Sequence, residues 1–126
     1  VSPDPFETST TELDGVRVVA VRGELDLNTA PALEHELEAA LAAGGSMMID
    51  LTACEFIDST GIALIVRAWQ QVDGGGDGER GFSICSSNDQ VGRVLEISGL
   101  NSSIPVRRSR DEGLAALRAG AADPSA

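Results

Sequence analysis

The sequence predicts an α/β domain, with a mixed, mainly parallel sheet of about five strands and about four helices. Three observations carry that expectation. Met47-Met48-Ile49-Asp50-Leu51 is an apolar run of the length of a strand buried on both faces. Ile62, Ile65, Val66 and Trp69, completed by Val72, then recur at helical spacing. Segments of these two kinds alternate along the chain, after an opening hairpin that makes the sheet mixed.

Residues 6–13 alternate weakly, and Asp14-Gly15 supplies a hairpin turn into a second strand, Val16 to Val21. Gly23-Glu24-Leu25-Asp26-Leu27 leads to Asn28-Thr29-Ala30-Pro31, where capping residues precede a proline suited to a first helical turn. The helix that follows runs to about Ala43, buries Leu33, Leu37 and Leu41, and stops at Gly44-Gly45. His35, the only histidine, lies about 200° around the helix from Leu33 and so faces outward.

The next strand spans 46–51. Asp58 or Ser59 then stands at the N-cap of the helix ending at Val72, since either side chain can accept from the unpaired N–H groups of the first turn. Opposite its apolar stripe project Thr60, Ala63, Leu64, Arg67 and Gln71. Residues 73–81 form a glycine-rich connector. Gly76, Gly78 and Gly81 satisfy GxGxxG, but they follow a helix and precede a strand, the reverse of a dinucleotide fingerprint.

Phe82 to Cys85 is the fourth strand, and a capping box from Ser87 to Gln90 opens a helix that carries Val91, Val94 and Leu95, with Ile97 a further candidate, and ends at Gly99. Ile104-Pro105-Val106 suits an edge strand, where proline's missing N–H does no harm. A terminal helix from Asp111 to Ala119 packs Leu114 and Leu117, and Ala121 to Ala126 is a frayed tail.

At 126 residues the chain is one ordinary domain, 1–126, with a core over about 6–119 and flexible tails. Its net charge of −11, with nine arginines and no lysine, repels a phosphate backbone, and aromatics at 3% leave no stacking platform. Nucleic acid is excluded as a partner; proteins are expected. No apolar run approaches the roughly 20 residues that span a bilayer. Val1 to Thr11 lacks the basic and apolar regions of a signal peptide. A cytoplasmic protein without a membrane partner is expected, with Cys54 and Cys85 as buried, reduced thiols.

Enzyme chemistry finds no support. Asp58-Ser59-Thr60-Gly61 is near the aspartic-protease triplet, but an extra residue separates acid from glycine, and a helix follows. Asp50 ends a strand as a receiver aspartate would, yet the late lysine of receivers and the lysine of a P-loop are both missing. Ser59 has no base in reach, because His35 faces outward on another helix. Two cysteines and one histidine do not make a zinc site. No catalytic residue, metal or cofactor is expected.

Three motifs in this order, Gly23-Glu24-Leu25-Asp26 with Thr29-Ala30-Pro31, Met48-Ile49-Asp50-Leu51, and Phe56-Ile57-Asp58-Ser59-Thr60-Gly61-Ile62, resemble the STAS domain of bacterial anti-sigma factor antagonists. The likeness runs from about Val16 to Leu117. It departs at Ile62-Ala63, where leucine and glycine are common in that family, and in the length of the connector.

The resemblance implies a switch. Ser59 would be phosphorylated by an anti-sigma factor with serine kinase activity, and a metal-dependent serine phosphatase would reverse it. The unphosphorylated form would bind the anti-sigma factor and release the sigma factor. Asp26 resembles the family's acidic residue beside the phosphorylation site, and Asp58, Thr60, Ala63, Leu64 and Arg67 join it as expected partner contacts, with Leu64 as the apolar anchor. Two other roles stay open: a STAS scaffold or sensor component, and a nucleotide-binding module built on the loops around Asp26 and Ser59.

Overall fold

The computed structural model describes residues 6–73 and 81–122. The connector 74–80, with Gly76 and Gly78, and the two chain ends lie outside them. Asp14 and Gly15 both take positive φ, 53° and 81°, as a tight hairpin turn requires. They join β1 (Glu7–Leu13) to β2 (Val16–Leu25), paired antiparallel with Leu13 opposite Val16. The elements that follow are α1 (Ala30–Ala43), β3 (Ser46–Ile57), α2 (Ser59–Asp73), β4 (Phe82–Cys85), α3 (Asp89–Ile97), β5 (Val106–Arg107) and α4 (Arg110–Ala122).

The sheet order is β1-β2-β3-β4-β5, parallel from β2 onward. This is the mixed sheet of five strands with four helices that the alternation predicts. Residue-by-residue alternation divides the core. Val19, Met47, Ile49 and Ile84 face α1, α2 and α3, while Val18, Met48 and Cys85 face Leu114 of α4. Three crossover helices thus cover one face and the terminal helix the other.

Several boundaries differ from the sequence expectation, each for a local reason. β2 and β3 continue past their apolar runs because the ladder continues, through Gly23 opposite Cys54 to Leu25 opposite Ile57. β3 gains residues on β2 at two register shifts, which bend it toward its end. Asn88, not Ser87, caps α3, its side chain accepting from the N–H groups of Gln90 (2.8 Å) and Val91 (3.1 Å). Ile97 lies off the buried face and is 79% exposed. The edge strand β5 keeps only two residues, Val106 and Arg107, with Pro105 just ahead of it and outside the ladder. Both cysteines are free and buried, and His35 is exposed, as expected.

The face under α4 contains a buried carboxylate. Asp50 accepts from the Thr52 N–H (2.9 Å), the Thr52 hydroxyl (2.7 Å) and the Cys85 thiol (3.3 Å), and pairs with Arg110 Nε at 2.6 Å. Burial raises its pKa, but the hydrogen bonds from Thr52, Arg110 and Cys85 outweigh burial and hold it below the ordinary 3.8. A depressed carboxylate contributes stability above its unfolded pKa and loses it as pH falls through the folded value. The Cys85 thiol, buried beside that charge, is pushed up to about 12.

Arg110→Ala is therefore expected to lower unfolding free energy at neutral pH by about 2 kcal/mol, less than for a fully buried pair because Arg110 is 40% exposed. Asp50→Asn should be destabilised at neutral pH, yet lose less further stability than the parent between about pH 5 and pH 3. Urea titrations across that range check both.

Candidate functional site

The carboxyl ends of β2 and β3 carry two loops that are tied together. Asp58 N–H donates to Leu25 O at 3.2 Å, so the residue before α2 is fixed to the last residue of β2. Asp58 also caps α2. Its Oδ1 accepts from the N–H groups of Thr60 (2.9 Å) and Gly61 (3.2 Å), and its carbonyl accepts from Ile62 N–H. Of the two cap candidates the aspartate takes the role, and Ser59 becomes the first helical residue.

Ser59 is exposed. Its hydroxyl makes no hydrogen bond to any described residue, and no histidine stands near in sequence or caps the same end. Gly61 explains the motif's glycine. A Cβ there would lie 2.7 Å from Leu25 Cδ2 and 2.8 Å from Ile57 Cγ1, so the first turn of α2 sits directly on the core.

On the neighbouring loop Asp26 Oδ1 accepts from the N–H groups of Asn28 (2.9 Å) and Thr29 (3.1 Å). Thr29 accepts from Asp26 N–H at 2.9 Å and donates to Glu24 O at 2.7 Å. Thr29 thus orders the loop ahead of α1 instead of capping α1 through its side chain. Asp26 is half-buried and structurally engaged, next to the loop that bears Asp58.

One predicted contact is corrected. Leu64 is 5% exposed and belongs to the core, not the surface. Helix α1 lies alongside α2, and Leu64 faces the cleft they share, with Leu37, Leu41 and Ala68. The buried stripe of α2 is accordingly Leu64, Ile65, Ala68 and Val72, while Ile62, Val66 and Trp69 form a half-buried rim. Ala63 and Arg67 are exposed as expected and Thr60 is half-buried. Arg67 lies 3.6 Å from Glu34 of α1.

Two apolar residues at this end were not singled out from the sequence. Leu27, in the Asp26 loop, is 72% exposed, and Phe56 is 46% exposed. The ladder pairs Cys54 with Gly23 and Phe56 with Glu24, leaving Glu55 as an extra residue that breaks the in-out alternation. Phe56 is thereby turned outward. Among the described residues no three of His, Cys, Asp and Glu converge as metal ligands, and no helix is long and apolar enough to cross a membrane.

Comparison with known proteins agrees with this architecture. A family model described as "STAS domain" matches residues 7–113. The anti-sigma-F factor antagonist RsfB of Mycobacterium tuberculosis is 26% identical over 123 residues, covering 97% of this chain and 98% of its own. The crystal structure of an anti-sigma factor antagonist from Mycobacterium paratuberculosis superposes with a TM-score of 0.84 at 34% identity, covering 93% of this chain and 97% of that one. The Bacillus cell fate determinant SpoIIAA in its phosphorylated form has a TM-score of 0.64 at 17% identity over 90% of this chain and 100% of its own, a likeness of fold.

The site's geometry separates three substitutions. Gly61→Ala is expected to destabilise by about 1–3 kcal/mol through overpacking, and Asp58→Ala by about 1 kcal/mol through loss of the cap. Ser59→Ala should stay within about 0.5 kcal/mol of the parent. Chemical denaturation of the three variants, side by side, tests that order.

Proposed function

The chain belongs to the STAS domain family, and from that premise we propose that it is an anti-sigma factor antagonist whose binding is switched at Ser59. The unphosphorylated protein binds an anti-sigma factor that is also a serine kinase, and so frees a sigma factor. Phosphorylation of Ser59 ends that binding, and a serine phosphatase restores it. The observation that carries this reading is the placement of Ser59: an exposed hydroxyl on the first residue of a helix whose cap is supplied by its neighbour. RsfB, named an anti-sigma-F factor antagonist, and the phosphorylated SpoIIAA of the same fold support it.

On this reading the chain supplies the substrate hydroxyl. Activation of the serine, in-line transfer from ATP and charge neutralisation belong to the kinase's own active site. The new group adds about −1.5 to −2 charges at neutral pH, beside Asp58 on a chain already at −11. A helix N-terminus tolerates such a group, whereas a partner seated on Ser59 would have to desolvate it.

The partner surface comprises Asp26, Asp58, Thr60, Ala63 and Arg67, with Leu27 and Phe56 taking the anchoring role that Leu64 cannot fill. Exposed apolar side chains next to a polar switch residue are the usual composition of a small, reversible interface.

Incubation with a cognate anti-sigma factor and labelled ATP tests the reading. Label should appear on the parent and be absent from Ser59→Ala, which should still bind. Ser59→Asp should bind at least about tenfold more weakly. Label on Ser59→Ala would remove Ser59 as the acceptor, and undiminished binding of Ser59→Asp would remove the switch. Leu27→Ala and Phe56→Ala should each weaken binding by about tenfold while leaving the fold intact, as read by titration calorimetry and circular dichroism.

A further inference from the structure

A second site lies at the other side of the sheet's carboxyl edge, away from Ser59. β4 and β5 are parallel neighbours, but the chain leaves β4 toward α3 on one face and leaves β5 toward α4 on the other. Divergence of that kind opens a crevice beyond the strand ends, where open α/β sheets bind ligands. Here the crevice is a cavity of about 470 Å³, within the range of small-molecule sites.

Its lining is chemically uneven. Arg93, Arg107 and Arg108 converge on it, three of the nine arginines of a strongly acidic chain. The N-terminal turn of α3 borders it, and Asp89 and Glu96 stand at its walls. Arg108 is partly engaged, donating to Ser87 O at 3.2 Å and lying 3.8 Å from Asp89, and Arg107 donates to Val106 O at 3.3 Å. Arg93 has no ion pair among the described residues.

Ser86 supplies the independent observation. It lines the crevice at 6% exposure, and its hydroxyl is buried without a hydrogen-bond partner. A buried hydroxyl left unpaired costs free energy, and such groups ordinarily meet a partner. Its backbone N–H is already used, donating to Arg107 O at 2.8 Å. The side chain alone is left over, in the lining of an arginine-bearing cavity.

We propose that this crevice binds a small phosphorylated sugar. Arginines and a helix N-terminus recognise the phosphate, while Ser86 and the carboxylates of Asp89 and Glu96 hydrogen-bond sugar hydroxyls. Among the described residues that line it none is aromatic, so a nucleobase would find nothing there to stack on. A pentose phosphate fits the chemistry better than a nucleotide.

Amide chemical shifts of the full chain, titrated separately with ribose 5-phosphate, inorganic phosphate and ribose, test the proposal. Ribose 5-phosphate should move the amides of Ser86, Gly92 and Arg107 and saturate with a Kd below about 1 mM. Arg93→Ala and Arg107→Ala should each weaken it by about tenfold. Gly92→Glu provides a second variant: a Cβ there meets nothing within 4 Å, so the fold is kept while a carboxylate enters the crevice. It should abolish binding without altering the melting profile.

Absence of shifts at about 10 mM, equal affinity for inorganic phosphate, shifts confined to Asp26 and Ser59, or binding indifferent to these variants would each overturn it. None of these results depends on the anti-sigma factor.

Discussion

The arrangement depends on the close approach of the first turn of α2 to Leu25 and Ile57. At Gly61 there is no room for a single further carbon. That contact sets the height of the helix over the sheet, and the Asp58 hydrogen bond to Leu25 O sets its position along β2. With the helix start fixed twice, Asp58 falls where its carboxylate can satisfy two first-turn N–H groups. Ser59, one residue on, must then point away from everything that holds the turn in place. Its accessibility follows from packing on the opposite side of the backbone.

The opposite face is held by different physics. Asp50 would be a liability in an apolar strand, since an uncompensated buried carboxylate is expensive. Its oxygens are supplied by Thr52 two residues on, by Cys85 from the neighbouring strand and by Arg110 from α4. The network links β3, β4 and the terminal helix through one side chain. It also disposes of Cys85 as a nucleophile, because a thiol buried beside a carboxylate stays protonated at neutral pH. Helix α4, which covers that face among the described residues, is thus anchored by charge as well as by Leu114.

How much of this the sequence carries varies with the kind of interaction. Strand and helix order follows from periodicity, and the hairpin from Asp14-Gly15, so the sheet is legible. The cap at Asp58 or Ser59 is legible to within one residue, because both side chains can accept from the same N–H groups. The rotation of α2 is not. Apolar residues at 62, 64, 65, 66, 69 and 72 span more than half of the helix circumference, and only the presence of α1 decides that Leu64 is inside and Ile62 at the rim. Phe56 turns outward through a bulge that no pattern of residue types announces. Ser86 is a plain serine in the sequence; its unpaired hydroxyl arises from what surrounds it.

Magnitudes decide why a phosphate at Ser59 would act on binding and not on folding. At an exposed helix N-terminus a negative group gains about 0.3–1 kcal/mol from the helix dipole, and a nearby carboxylate such as Asp58 opposes it by a similar, solvent-screened amount. These nearly cancel, and the fold is left close to where it was. Burying the same charge under a partner removes it from water, which costs several kcal/mol unless the partner provides matched cations and donors. A contact surface complementary to a neutral serine, with the exposed Leu27 and Phe56 at the same end of the sheet, would have no reason to provide them. On the proposed reading the same chemical change would be almost silent in the free domain and decisive in the complex, because only the complex would exclude the solvent that makes the charge affordable.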